Sequence, residues 1–333
     1  MAITPTNYAT FVTTASTMMG HVYDEDDVQS VYKQITTELP CGTAQMTFAW
    51  TGLMPKMRAW YGARQPHQDA PQTYTVVPQP WENTYSIDRF TLDDDQYGVH
   101  YRLLMDLVRQ SKRHPDYQIR DLLEATGAQS STAIQLGPDG LSFWNSAHPV
   151  NLYNATQGTY TNTTLGGQSI GGVTVGGAMG VVSVTSVWEY MQTLKGEDGE
   201  RLGIKPDVLM HPPTLASEVM QLLGSTFMAP PIWGGFAPIT GQVGAADNVM
   251  MRFGVRALQN MFLANNQNWY MLDTTKPMKP LIWVVREPVV TVPRMNENDP
   301  AVFDTHMFQW GQWARNCPAW NLSFMSHRSG PSP

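Results

Sequence analysis

The stretch from Thr91 to Gly127 constrains the chain most, because it alone announces both the start and the stop of a long helix. Asp93, Asp94 and Asp95 precede a periodic apolar run, where carboxylates accept free backbone N–H groups and oppose the helix dipole. Tyr97, Tyr101, Leu104 and Val108 then recur at helical spacing, with Met105 and Leu107 widening the face. On a continuous helix Arg102, Arg109 and Arg113 share a stripe nearly opposite. Pro115 has no N–H to donate, so a kink or a restart is expected there, and Asp116 to Ala125 favours a restart. Gly127 supplies the left-handed residue that commonly ends a helix. The expected rod is roughly 30 residues, about 45 Å at 1.5 Å per residue, and long for one globular domain.

What such a rod packs on depends on the rest of the 333 residues. Only 15% are charged, against about 25% in ordinary soluble proteins. So little charge points to surface buried against other chains, or to a monomer with a neutral Ser/Thr/Asn/Gln surface. The net charge of −7 argues against a protein whose main task is gripping nucleic acid. Cys41 and Cys317 lie too far apart for metal-ligand spacing or a disulfide framework, which makes a reducing cytoplasm the default. The first twenty residues lack the basic and apolar regions of a signal peptide, and no run is apolar enough to span a bilayer.

In chain order, Asn7 to Met19 and Val28 to Leu39 read as helices, the second opened by the acidic run Asp24 to Asp27 and stopped by Pro40 and Gly42. Residues 46–62 crowd Trp50, Met54, Met57, Trp60 and Tyr61 and need a surface to bury against. Thr73 to Val77 and Thr84 to Leu92 read as two strands of a protruding hairpin, separated by Pro78 and Pro80. Phe143 and Trp144 anchor a turn-rich segment. The Gly/Thr-rich stretch 151–178 reads as a flexible loop or a loosely patterned ribbon, and Met179 to Leu194 as a helix despite its valines. Val208 to Met210 is a strand, Thr214 to Leu223 a helix, and 224–248 a long loop. The remaining strands are expected at Trp269 to Leu272, Leu281 to Arg286, Val289 to Val292, His306 to Arg315 and Trp320 to Phe324. The class is α+β with long excursions.

Six phrases, in order, carry a resemblance. FAWTGLMPKMRAWYGAR (48–64), YSIDRFTLDDDQYG (85–98), HPDYQIRDLLEATG (114–127), GERLGIKPDVLMHPPTL (199–215), WYMLDTTKPMKPLIWVVREP (269–288) and DPAVFDTHMFQWGQWARNCPAWNLSF (299–324) are similar to the major head protein of Mu-like tailed bacteriophages. That resemblance implies a Hong Kong 97-type capsid fold. It divides the chain into an N-terminal arm (1–62), an extended loop (63–92), a peripheral domain with a spine helix (93–195), an axial domain (196–280) and return strands of the peripheral domain (281–333). It further implies copies of itself arranged as hexamers and pentamers, with portal, scaffold or decoration proteins as further partners, in a virion assembled in the bacterial host cytoplasm.

No catalytic group and no cofactor are expected. The alternative is a metal-dependent enzyme built on the acidic cluster near Asp94, with His100, His114 or His148 as ligands, but consecutive carboxylates at a helix start more often act as caps. Neither cysteine has a positioned histidine, and GGQSIGGVTVGGAMG lacks the Lys-Ser/Thr of a phosphate loop. Two surfaces stand out. Arg102, Arg109, Lys112, Arg113 and Arg120 form a basic stripe that either meets the packaged genome weakly or pairs with carboxylates of the arm or a neighbouring subunit. Trp50, Trp60, Tyr61 and Trp81 are the expected subunit-contact aromatics.

Overall fold

The computed structural model describes residues 14, 17–22, 30–50, 59–60, 62, 72–94, 99–124, 136–137, 139–151, 158–170, 172–224, 227–228, 246–247, 249–265, 267–296 and 299–331. Two sheets organise it. In the four-stranded sheet, Thr36–Pro40 runs parallel to Leu281–Arg294, which pairs antiparallel with Met307–Trp320, which pairs antiparallel with the edge strand Gln79–Asp88. The five-stranded sheet runs Arg256–Gln259, Val208–His211, Trp269–Leu272, Ser326–Gly330 and Thr163–Leu165.

The long helix, Val99–Glu124, lies across the inner face of the first sheet and reaches the second. Leu104, Leu107 and Val108 are buried against Ile87, Phe308 and Trp310. About three turns further on, Ile119, Leu122 and Leu123 join a second core with Trp144, Tyr270, Leu281 and Trp320. The helix does not restart at Pro115: helical turns run through it. A lost backbone bond and a ring clash cost about 3 kcal/mol or more, yet both flanking turns are buried on one surface and cannot separate without exposing it. The acidic run also acts elsewhere than expected. Asp88 caps a short helix, Arg89–Asp93, by accepting from Phe90 N at 2.7 Å, and Asp94 closes that helix rather than opening the long one. Asp95, Tyr97 and Gly127 lie outside the described residues.

Two further expectations yield to long-range pairing. Among the described residues of Val28 to Leu39 only Tyr32–Ile35 is helical, because Thr36–Pro40 finds a strand partner in Leu281 to Val285, where its β-branched threonines pack better than in a helix. The start of that short helix is held by Asp116 of the long helix, whose buried carboxylate accepts from Val31 N and Tyr32 N, both at 2.9 Å, and from Ser30 Oγ at 2.7 Å. Of the expected hairpin, Gln72–Val76 pairs with Met46–Trp50, while Gln79–Asp88 joins the four-stranded sheet, with Pro80 tolerated at its edge. Of the expected first helix, the described residues 14 and 17–19 are helical, and the helical stretch runs on to residue 22.

Prolines divide less than expected. Leu281–Arg294 is one strand, with register shifts on either side of Glu287 that accommodate Pro288. Met307–Trp320 ends at Trp320, and after a 3₁₀ turn at Ser323–Met325 the chain enters the five-stranded sheet as Ser326–Gly330. That sheet is buried on both faces, so VLMH (208–211) and WYML (269–272) are apolar runs without alternation. One face packs Val184, Val187 and Met191 of the helix Val181–Thr193 and Val219 and Leu222 of Ala216–Gly224; the other packs the end of the long helix.

The described part of the Gly/Thr-rich stretch forms short ribbons, one strand of which, Thr163–Leu165, edges the large sheet. Gly176 sits at φ +74°, and any Cβ there would collide with the Thr164 and Ser329 hydroxyls. Glycine is therefore required by close backbone approach, not by mobility. Phe143 and Trp144 are anchors as expected, Trp144 Nε1 donating to Leu123 O at 2.8 Å and Phe143 stacking on Trp320.

His327 is sealed inside the large sheet, with Nε2 2.8 Å from Thr164 Oγ1 and the ring beside Tyr190. Burial, reinforced by the Arg328 charge, pushes its pKa down to about 3. The unfolded chain, with a histidine near 6.5, takes up the proton first as pH falls. This residue therefore stabilises the fold fully above about pH 6.5 and loses about 1.4 kcal/mol per pH unit between there and about pH 3. Urea titrations across that range will show the slope, and His327→Gln will flatten it; an unchanged slope in the variant places the acid sensitivity elsewhere.

Candidate assembly surfaces

The two faces of the strand Met307–Trp320 have different fates. Phe308, Trp310, Gln312, Ala314 and Asn316 point inward, where Gln312 accepts from Ser111 Oγ and Asn316 meets His114. Strand geometry sends Gly311, Trp313, Arg315, Cys317 and Ala319 outward. At one end this outer face is covered by the ribbon of Met46–Trp50 and Gln72–Val76. Val76 and the half-buried Phe48 and Tyr74 pack on Ile282, Val284, Cys317 and Ala319, and the Tyr74 hydroxyl accepts from Trp320 N at 3.4 Å. Burial raises the Tyr74 phenol and pushes the Cys317 thiol up to about 12. Cys317 is a neutral core thiol, not a nucleophile.

At the other end the same face is open. Val290 stands opposite Trp313, with Val292 two residues on, and the three are 37%, 42% and 49% exposed. Phe303, at the helix preceding this strand, is exposed as well. The signal for this face was present in FQWGQWARN: Trp310 and Trp313 are three apart, so in a strand they must point to opposite sides.

Of the aromatics singled out by sequence, Trp60 is 70% exposed, its Nε1 donating to Gly62 O at 2.8 Å. Trp81 packs within its own subunit, its ring 4.8 Å from that of His114 and its Nε1 3.3 Å from Asn316 O. The backbone of Trp50 pairs with Gln72, while its side chain and all of Tyr61 lie outside the described residues.

The basic stripe is largely answered from within. Arg109 pairs with Asp106 at 3.0 Å, Arg120 with Asp121 at 2.6 Å, and Lys112 Nζ donates to Val22 O of the arm at 2.9 Å. Arg113 is half-buried and Arg102 exposed. The three candidate histidines stand apart from Asp94 and from one another. His100 Nδ1 meets Tyr85 Oη at 3.2 Å; His114, its pKa lowered by burial, meets Asn316 Oδ1 at 3.2 Å; and His148 joins Asp139 through Nδ1 and Phe143 O through Nε2. Among the described residues no group of three or more His, Cys, Asp or Glu could hold a metal ion, and no helix is long and apolar enough to cross a membrane.

A long helix on a four-stranded sheet, a second sheet buried on both faces and a two-stranded ribbon packed on the first sheet make up the Hong Kong 97-type fold of tailed-phage capsid proteins. The chain superposes on the procapsid of bacteriophage JBD30 with a TM-score of 0.53 at 20% identity, covering 98% of this chain and 76% of that one. With the Microbacterium phage Oxtober96 chain the TM-score is 0.54 at 9% identity, covering 92% and 96%. The sequence profile of the Mu-like prophage major head subunit gpT matches residues 11–174 and 250–330, and the chain belongs to that family. It is 31% identical over 137 residues to the Mu-like prophage FluMu major head subunit of Haemophilus influenzae, covering 40% of this chain and 42% of that protein. It is 27% identical over 138 residues to the major capsid protein of Escherichia phage Mu, covering 41% and 43%. The alignments thus span less than half the length of these relatives.

The opposite facing of the two tryptophans has a measurable consequence. Trp310→Ala empties a core site and will destabilise the subunit by about 3 to 5 kcal/mol, whereas Trp313→Ala will change subunit stability by about 0.5 kcal/mol or less. Denaturant melts of dissociated subunits compare the two, and equal losses would put both indoles in the core.

Proposed function

We propose that this chain is a major capsid protein that self-associates into the icosahedral head shell of a tailed double-stranded DNA phage, and that it carries no catalysis of its own. The observation that carries the reading is the half-covered outer face of the four-stranded sheet, in a chain of a head-subunit family. One end is roofed by the subunit's own ribbon, and Val290, Val292 and Trp313 continue the same apolar surface without a cover. A ribbon or arm from another copy supplies the missing roof, which also accounts for the low charge of the chain.

In this reading, copies arrange as hexamers and pentamers in a virion assembled in the host cytoplasm, with portal, scaffold or decoration proteins completing the head and weak contact with packaged DNA. The division of labour is an arm at 1–62, an extended loop at 63–92, a peripheral domain with the spine helix at 93–195, an axial domain at 196–280 and peripheral return strands at 281–333. Trp50, Trp60 and Tyr61 belong to the contact system, with Trp60 the most exposed of those described.

A buried unpaired carboxylate costs several kcal/mol, and an apolar contact does not depend on salt as an ionic one does. Trp313→Asp subunits will therefore fold, as judged by circular dichroism, yet fail to build shells in electron micrographs at any ionic strength. Trp60→Ala will weaken assembly before it weakens folding. Normal shells from Trp313→Asp would remove this face from the interface, and a wild-type chain that stops at a small closed oligomer would remove the shell reading itself.

A further inference from the structure

A group of cations without acid partners among the described residues lies at the seam between the two sheets. Lys33 belongs to the short helix Tyr32–Ile35, Arg256 opens the edge strand Arg256–Gln259, and Lys279 precedes Leu281. The fold brings two of these cations to the helical turn that carries the third: Lys279 Nζ donates to the Lys33 carbonyl at 2.6 Å and Arg256 Nη1 to Gln34 Oε1 at 2.6 Å, while the exposed Lys33 side chain holds its ammonium over the Tyr32 ring at 6.0 Å. All these acceptors are neutral. Among the described residues none of the three cations has a carboxylate partner, in contrast to Arg109, Arg120 and Arg294, each paired with an aspartate. Asp207, the acid that Lys279 senses, has its oxygens engaged by Thr274 N and Oγ1 at 2.6 and 2.7 Å.

Holding like charges together is unfavourable. Burial first, and then the Arg256 charge, lower the Lys279 pKa, with Asp207 only partly opposing. An arriving anion relieves that repulsion. In a chain of net charge −7, general attraction to nucleic acid is absent, and contact requires a local patch. Duplex DNA carries about one negative charge per 1.7 Å of axis, dense enough to meet all three cations at once. We propose that Lys33, Arg256 and Lys279 form a sequence-independent site for the phosphate backbone of double-stranded DNA, a role that rests on the reading of the chain as a head-shell subunit. Lys and Arg contacts to phosphate position a duplex and carry no sequence information.

The test is fluorescence anisotropy of a short labelled DNA duplex with dissociated full-length subunits across a salt series. Three phosphate contacts give a slope of log affinity against log salt of about −2.7, or about 40-fold weaker binding from about 50 to 200 mM salt. The Lys33→Gln/Arg256→Gln/Lys279→Gln variant is expected to lose this binding while keeping its circular dichroism and its shells. Lys33→Arg/Lys279→Arg and Arg102→Gln/Arg109→Gln are expected to retain it. Should the triple variant misfold, each single Gln variant reports instead, reducing the slope by about 0.9. The proposal is overturned if the triple variant binds with the wild-type slope, or if wild-type subunits do not bind DNA; loss of shells by the variant in that second case would make the patch a receptor for a neighbouring copy's carboxylates. Because binding is read on dissociated subunits, failure of the shell reading leaves this measurement intact.

Discussion

The strand Met307–Trp320 is the constraint on which the rest depends, since it has a partner on each edge and a different duty on each face. Its inner residues receive the spine helix, its outer residues receive the ribbon at one end, and its last residue, Trp320, stacks on Phe143 where the two sheets meet. Because successive side chains alternate, a slip of one residue would put Trp310 in solvent and Arg315 under the helix. The register is therefore held by both faces at once. The spine reads through Pro115 for the same reason: its two halves serve one continuous surface.

Polar groups buried in this scaffold fasten segments rather than perform chemistry. Asp116 reaches from the spine to the backbone of Val31 and Tyr32, fixing the start of the strand that begins at Thr36. A carboxylate accepting several N–H and O–H bonds is strongly held, and its loss would leave those donors orphaned in the core. His148, bonded to Asp139 and Phe143 O, pins the loop that carries Phe143 and Trp144. His327 performs a comparable task between Thr164 and Tyr190 in the larger sheet. His148 looked like a candidate ligand because residue type alone does not reveal the partner.

Exposed surface follows from what the core leaves over. The ribbon covers only part of the outer face, so Val290, Val292 and Trp313 stay open, and a shell subunit can use such a face where a monomer would be expected to avoid it. Two of the four arginines that suggested a genome-facing stripe, Arg109 and Arg120, are paired with acids three and one residues away. Three cations from unrelated segments remain without such partners at the seam.

Local periodicity made the spine face legible, because Leu104 and Val108 on one side and Arg109 on the other are a matter of helical spacing alone. The same holds for Trp269–Leu272, a short apolar run bounded by polar residues, and for the anchors Phe143 and Trp144. The head-subunit family was legible too, through phrases that survive in order along the chain. Partner choice was not. Whether Thr36–Pro40 continues a helix or joins a sheet depends on Leu281 to Val285, far along the chain, and whether Gln79–Asp88 pairs with its neighbour in sequence or with Met307–Trp320 depends on which pairing buries more. Asp93 and Asp94 looked like a cap because their composition suits one, yet they end the short helix that Asp88 opens. Spacing encodes which residues share a face; only collective burial across distant segments decides what that face meets.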